Sequence, residues 1–349
     1  MTLYLLSISG VFIIIASYLF VAGIRAWADR KKILDIPNER SSHHKPIPRG
    51  GGIAIVVITM GALWIVYIMY PSVYEIKNII TFTMAGIIVA GISLLDDLSS
   101  IRNTVRFLVH GFVAIAIIWN IGFISEISIP IIGEIKLQFA GIIITFLFIV
   151  GLTNAYNFMD GIDGIAAVQA IIAGLGWAII GYFYSHSLIL LLGFVVTVSS
   201  IGFLIHNWHP ARIFMGDVGS AFLGFTFATI TIIGVQKDPI LVYPGILLVW
   251  PFIFDTVYTL IRRMVYRENI FEAHRSHLYQ RLVIAGWGHR SVTILYGILA
   301  SVAWIPIGFM VWKIQVGYIL TFLIPILLFL LLLVITFRYE KRYSRYSSC

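Results

Sequence analysis

Two adjacent carboxylates, Asp96 and Asp97, close a long apolar run. Mg²⁺ takes hard oxygen ligands, usually one or two carboxylates plus substrate phosphates. In such a pair one Asp can hold a metal ion while its neighbour acts as a base; the plain alternative is a solvated helix end. Asn154, Asn157, Asp160 and Asp163 follow at a constant spacing of three. On a helix that spacing drifts about 60° per step and draws a slanting polar strip. Two amides can join helices inside a membrane. Two acids in addition are costly there and mark a functional site by default.

Three further groups have chemistry-bearing composition. Asp217 lies between Gly216 and Gly219, just before another apolar run. Backbone N–H groups in such a turn can approach a phosphate, and the helix N-terminus adds a favourable dipole. A simple Asp cap is the competing reading. His274 and His277 are three apart, which places them on one helix face with Arg281 a turn further on, a set suited to a diphosphate. A two-His zinc site there lacks a third soft ligand, and a basic interfacial helix is the bland reading. Finally, the segment 35–52 carries His43, His44 and Arg49 among three prolines, and ends in Gly50, Gly51 and Gly52. The prolines stiffen it, and the glycines let the chain re-enter a packed interior.

The elements that must position these residues are membrane helices. Of 349 residues, 60% are hydrophobic and 11% charged, against about 25% charged in a soluble domain. Eleven apolar runs, near 3–24, 51–70, 78–95, 105–123, 139–158, 164–184, 187–206, 219–235, 240–261, 291–312 and 315–337, approach the ~20 residues that cross the hydrocarbon layer. The expected fold is a single all-α polytopic transmembrane bundle over 1–349. The first run has no basic n-region or cleavage site, so it is expected to remain a span. Strand-like alternation is absent from the runs, against an outer-membrane barrel. Residues 122–138 alternate weakly around Gly133, which predicts a small hairpin.

Charge gives the expected orientation. Only Lys77, Lys136, Lys237 and Lys313 of the 24 Lys and Arg fall in one set of connections; the other set holds the rest. Basic loops face the cytoplasm, which puts the N-terminus outside, the C-terminus inside and the acidic and histidine groups on the cytoplasmic face. The net charge of +8 is therefore a membrane signature and not one of nucleic-acid binding. Cys349 is the sole cysteine, which excludes an intrachain disulfide and a cysteine metal cluster. A secondary transporter, the rival class, would carry its acids near the bilayer midplane on broken helices in two related halves; here the acids gather at helix ends and no halves are evident.

Together, and in this order, the Pro37-Asn38-x-Arg40 segment with His43 and the Pro48 to Gly51 run, Asp96-Asp97, Asn154 to Asp163, Gly216-Asp217 to Ser220, and the His274-x-x-His277 loop resemble the polyprenyl-phosphate N-acetylhexosamine-1-phosphate transferases, glycosyltransferase family 4. The resemblance spans nearly the whole chain. It implies a bacterial cytoplasmic-membrane enzyme that needs Mg²⁺, or Mn²⁺ in its place. The donor would be a UDP-N-acetylhexosamine, the acceptor undecaprenyl phosphate, and the products UMP and a polyprenyl-diphospho-sugar; a homodimer is compatible. By motif match Asp217 is the main metal ligand, with Asp97 and Asn157. Asp96 and Asp97 supply the base or nucleophile. Asn154, Asn157, Asp160 and Asp163 hold the uridine or diphosphate end, and His43, Arg49, His274, His277 and Arg281 bind phosphate or sugar. The peptidoglycan branch has three consecutive acids and a histidine run, whereas Leu95 precedes the pair here and Arg275-Ser276 interrupt the histidines. The dolichol branch has a late insertion that is absent here. The likeness is greatest to enzymes that start O-antigen or capsule chains, often with a 6-deoxy sugar such as N-acetylfucosamine or N-acetylquinovosamine.

Overall fold

The structure is a computed structural model, which describes residues 3–37, 45–129, 133–269, 274–312, 314 and 316–347. His43, expected to bind substrate, lies outside them. The chain forms fourteen described α-helices: α1 Leu3–Lys31, α2 Ile53–Met69, α3 Ile76–Ser99, α4 Asn103–Asn120, α5 Phe139–Phe158, α6 Ile165–Phe183, α7 Ser187–Asn207, α8 Asp217–Val235, α9 Val242–Leu247, α10 Trp250–Val265, α11 Leu278–Ile284, α12 His289–Val302, α13 Trp304–Val311 and α14 Val316–Ser347. Two antiparallel ribbons accompany them. Strand β1 (Leu34–Asp35) pairs with β2 (Ile47–Pro48), and β3 (Glu126–Ile129) with β4 (Gly133–Lys136), the expected hairpin.

The protein is an all-α polytopic membrane protein. Among the described residues nine helices are long and apolar enough to span a bilayer, and ten if one bent pair is a single span. The remaining run of the eleven expected is α2, which at 17 residues is short for a span. The bent pair corrects the expected straight helix over 240–261: Pro239–Leu247 and Trp250–Val265 meet at 74°. A break at membrane depth frees backbone groups that must find partners; the carbonyl of Leu248 accepts from Gln169 Nε2 at 2.6 Å.

Helix α8 is the axis of the bundle. It is apolar all round, the signature of a helix enclosed on every side, and Val218–Val235 is buried throughout. Two of its three threonines return their hydroxyls to their own helix: Thr226 donates to the Phe222 carbonyl and Thr231 to that of Phe227, which leaves those two side chains no unmet donor in an apolar setting. Helices α2, α3, α5, α6 and α7 surround it. By contrast α1 and α14 present rows of large exposed apolar residues, including Phe12, Leu19, Leu327 and Leu330, a surface suited to lipid.

One consequence of this layout places the site. Asp217 is the first residue of the central helix, so its carboxylate sits at the end of the bundle where α3 and α5 terminate and α4 begins. The chain entering α2 is threaded against the same end. Gly51 N donates to the Phe214 carbonyl at 3.0 Å and Gly52 N to that of Met215 at 2.9 Å, while Phe214 N donates to Pro48 O at 2.8 Å. A Cβ on Gly52 would come within 2.3 Å of Gly219 Cα, so this close approach requires glycine.

Candidate active site

Three of the residues singled out for metal or base chemistry, Asp96, Asp217 and Asn157, converge on one guanidinium. Arg106, in the second turn of α4, forms an ion pair with Asp96 and another with Asp217 Oδ2 at 2.9 Å. Its second terminal nitrogen donates to Asn157 Oδ1 at 2.8 Å. Asn157 in turn donates to Ser220 Oγ at 3.0 Å. Thus α3, α4, α5 and α8 each place one side chain at the same point. Asp96 is held further by Ile101 N at 2.5 Å, from the short connection into α4. Charge-assisted contacts of this kind are the stronger class of hydrogen bond.

Asp97 faces a different way from its neighbour, as successive helical residues must. Its Oδ1 accepts from Asp217 N at 3.1 Å and its Oδ2 from Val218 N at 3.2 Å. A carboxylate on the first N–H groups of a helix satisfies donors that have no partner in the helix and complements its dipole. The expectation that these N–H groups stand free for a phosphate is therefore corrected: Asp97 occupies them. Gly216 makes this possible. Its φ is +77°, and a Cβ there would meet Asp97 Oδ2 at 2.7 Å. Arg49 completes the surroundings, donating to the Asp97 backbone carbonyl and lying 4.0 Å from its Oδ1.

The strip from Asn154 to Asp163 is not a single helix face. Helix α5 ends at Phe158, so Asn154 and Asn157 are helical while Asp160 and Asp163 occupy the turn into α6. Asn154 donates to its own helix at Val150 O and lies 3.3 Å from His110 Nδ1. Burial, and then the carboxylates of Asp217, Asp97 and Asp163, push the Asp160 carboxyl well above the usual carboxylate range. Asp163 turns to two residues that sequence reasoning missed. It accepts from His209 Nδ1 at 2.6 Å and from Ala211 N at 3.1 Å, and its Oδ1 lies 3.4 Å from His289 Nδ1.

The histidine loop also differs from expectation. Helix α11 begins after His277, so His274 and His277 do not share a helix face; their rings lie side by side with centroids 5.0 Å apart. Burial first, then His277 and Arg263, push His274 down to about 4, so it is neutral at physiological pH. The start of α11 is fixed by Asp255, a fully buried carboxylate that accepts from Leu278 N at 2.8 Å, Tyr279 N at 3.1 Å and Tyr296 OH at 2.6 Å, and sits 3.3 Å from His277 Nδ1. Arg281 is committed elsewhere: Nε and a terminal nitrogen each donate to Glu340 of α14 at 2.6 Å, and the guanidinium lies 4.9 Å from the Phe337 ring centroid.

The donor chemistry fits a hard divalent cation. Asp217, Asp97 and Asn157 offer oxygen atoms from three helices, with Asp96 and Ser220 beside them, and oxygen-only sets of this kind suit Mg²⁺ or Mn²⁺. The concentration of negative charge that such an ion would neutralise is partly met by Arg106. Arg106 carried no distinguishing signal in the sequence, where it is one more cation in a basic connection. His209 and His289 are far from Asp163 along the chain and meet it through folding alone.

Residues 79–235 match the family described as Glycosyl transferase family 4. The chain is 35% identical over 268 residues to a probable undecaprenyl-phosphate N-acetylglucosaminyl 1-phosphate transferase of Bacillus subtilis, covering 75% of this chain and 73% of that one. It is 28% identical over 320 residues to a decaprenyl-phosphate N-acetylglucosaminephosphotransferase of Mycobacterium leprae, covering 83% and 80%. Similarity to the phospho-N-acetylmuramoyl-pentapeptide-transferase of Staphylococcus epidermidis is 31% and spans 178 residues, 50% of this chain and 53% of that one.

Proposed function

Because the chain belongs to glycosyl transferase family 4, the polyprenyl-phosphate N-acetylhexosamine-1-phosphate transferases, we propose that it moves N-acetylglucosamine-1-phosphate from UDP-N-acetylglucosamine to undecaprenyl phosphate, releasing UMP. The observation that carries this reading is the meeting of Asp96, Asp217 and Asn157 on Arg106, with Asp97 closing the helix that Asp217 begins. The sugar is the one in the names of the relatives matched over most of their length. The interrupted histidine run keeps a 6-deoxy-N-acetylhexosamine as the second reading.

In the transfer, an oxygen of the acceptor phosphate forms a bond to the sugar-bearing phosphorus. The bond from that phosphorus to the bridging oxygen breaks, and its electron pair leaves with UMP. Both partners are anionic, so their approach is the main obstacle. Asp217, Asp97 and Asn157 would hold Mg²⁺, or Mn²⁺, which supplies charge neutralisation at the diphosphate and the leaving UMP. Arg106 adds fixed positive charge beside the same oxygens, and fixed charge that needs no reorganisation is the largest usual source of rate. Asp96 or Asp97 takes the proton of the acceptor phosphate, an easy step because a phosphate monoester has a second pKa of about 6. Both oxygens of Asp97 accept backbone N–H bonds, which fixes its carboxylate in place beside Asp217. Asp160, His274 and His277 border the donor, and Arg49 approaches from the first loop.

The excess of Lys and Arg in the connections at this end of the bundle supports a location on the cytoplasmic face of a bacterial inner membrane. There the UDP-sugar is available, and the product would start a lipid-linked surface polysaccharide such as O-antigen or capsule. Exchange of labelled UMP into UDP-N-acetylglucosamine tests the reading. A transferase gives exchange that depends on undecaprenyl phosphate and is lost in Asp217→Asn. Exchange without lipid would instead establish a two-step route through a phosphosugar-enzyme, and a carrier gives none.

A further inference from the structure

Helix α4 lies at the rim of the bundle. Phe107, Leu108, Phe112 and Ile115 are exposed on it, a surface suited to lipid, and its buried side is made of His110, Gly111, Val113, Ala114 and Ile117. With lipid as the surroundings, apolar burial does not drive helices together, and polar contacts do much to set how one helix stands against the next. Two such contacts join α4 to α5 at successive turns. Arg106 donates to Asn157 Oδ1 at 2.8 Å. One turn deeper, about 6 Å along the helix, His110 Nδ1 lies 3.3 Å from Asn154 Nδ2.

The chemistry of the deeper contact fixes the state of the imidazole. Asn154 Nδ2 also donates to the Val150 carbonyl at 2.7 Å, so the atom there must be the amide nitrogen, because an oxygen would face another oxygen. The same nitrogen faces His110 Nδ1. That ring nitrogen is therefore the acceptor, and the ring is neutral with its proton on Nε2. His110 is 1% exposed, and its Nε2 has no hydrogen-bond partner among the described residues. A buried N–H without an acceptor costs stability, a cost that an apolar ring of similar shape would not carry. A side chain that is poor for stability where it stands is the mark of one that serves a neighbouring site.

We propose that His110 is a positioning residue for the transfer: through Asn154 it sets the stand of α4 against α5 one turn behind Arg106, and so holds the guanidinium on Asn157 and between Asp96 and Asp217. This role rests on the reading of that cluster as the site of transfer. Side chains four apart share a helix face and lean toward the helix N-terminus, so the imidazole backs the Arg106 side chain. Being neutral, it adds no second positive charge beside the guanidinium. Arg106 divides itself among three acceptors on α3, α5 and α8, and a displacement of about 1 Å at a preorganised site costs up to about 10²-fold in rate.

Two substitutions in the full-length protein separate positioning from support. His110→Phe keeps a ring and removes the acceptor; His110→Asn keeps an acceptor near the place of Nδ1 and removes the ring. With undecaprenyl phosphate, Mg²⁺ and UDP-N-acetylglucosamine, His110→Phe is expected to lower kcat for UMP release by about 10-fold or more, with the donor KM nearly constant. It is expected to melt no lower than the unsubstituted protein. His110→Asn is expected to melt lower and to keep most of the kcat. In Arg106→Lys, where the fork is gone, adding His110→Phe should change kcat by less than about twofold. Full kcat in His110→Phe overturns the proposal. So do losses of kcat that follow the losses in melting temperature across the two variants, or an undiminished fall in the Arg106→Lys background. The pairing of His110→Phe with Arg106→Lys is also read in melting temperature, which needs no turnover. Additive shifts overturn the proposal whatever the reaction. Coupled shifts without UMP release from the unsubstituted protein contradict the transferase reading and leave the coupling of His110 to Arg106 standing.

Discussion

Asp97 caps the helix that Asp217 begins, accepting from the backbone N–H of Asp217 at 3.1 Å and of Val218 at 3.2 Å. The two carboxylates are thereby held in fixed register, one by the helix start and the other as its cap. The capping and chemical roles of Asp97 can be separated. Asp97→Asn keeps an acceptor for one N–H, so melting is expected to shift by less than about 1 kcal/mol, while Asp97→Ala costs about 1–2 kcal/mol. Both lose the ionised oxygen, and turnover is expected to fall by about 10²-fold or more in each. Thermal melts and UMP release measured on the same preparations check this. Full turnover in Asp97→Asn would confine Asp97 to a structural part.

Arg106 reaches three oxygens at once, on Asp96, Asp217 and Asn157. The planar fork reaches them from two separated nitrogens, whereas a lysine ammonium would have to reach all three from one. Arg106→Lys is expected to keep the fold, because a cation remains among the acids, and to lower kcat/KM by about 10²-fold. Removing the cation in Arg106→Ala leaves buried like charges together, so a loss of about 3–5 kcal/mol in stability is expected. Circular dichroism melts beside steady-state kinetics distinguish the two effects.

The Asp160 carboxyl carries a pH signature. Its folded pKa lies above the ordinary value of 3.8 because of burial and the neighbouring Asp217, Asp97 and Asp163. A raised carboxyl pKa favours the fold fully at pH below 3.8, and that advantage is lost as pH rises toward the folded value. Asp160→Asn removes the penalty, so at neutral pH the variant is expected to melt higher than the unsubstituted protein. The difference should shrink as pH falls toward 3.8. Melting curves across pH 4–8 read this directly; a constant difference would mean that Asp160 acts through packing.

Arg281 offers a test of what its position means. Its paired bonds to Glu340 at 2.6 Å join α11 to α14. Arg281→Ala and Glu340→Ala are expected to destabilise alike, with a coupling of about 1 kcal/mol in a double-mutant cycle, and to leave the donor KM nearly unchanged. A large rise in donor KM in Arg281→Ala alone would restore this residue to the substrate.

The acids were legible in the sequence because carboxylates are rare in apolar runs and these recur at helix ends. Asp96, Asp97, Asn157 and Asp217 could be named without a structure, and so could the apolar frame and the hairpin at 126–136. Arg106 could not, because lysine and arginine in a basic connection are expected from topology alone. The 74° bend near Leu248 was hidden because hydropathy is the same for a straight and a broken span. The start of α11 at Leu278 was hidden because it depends on Asp255, 23 residues earlier in the chain, which supplies the cap. His209 and His289 have no neighbours in sequence that mark them, and only the packing of α6, α7 and α12 brings them to Asp163.

The most direct test of the central claim is product analysis with purified protein, undecaprenyl phosphate, Mg²⁺ and a panel of UDP-N-acetylhexosamines. UMP and undecaprenyl-diphospho-N-acetylglucosamine are expected in equal amounts. Both should be lost with EDTA and reduced by about 10²-fold or more in Asp217→Asn. Equal product from Asp217→Asn, or none from folded protein with any of these donors, would contradict it.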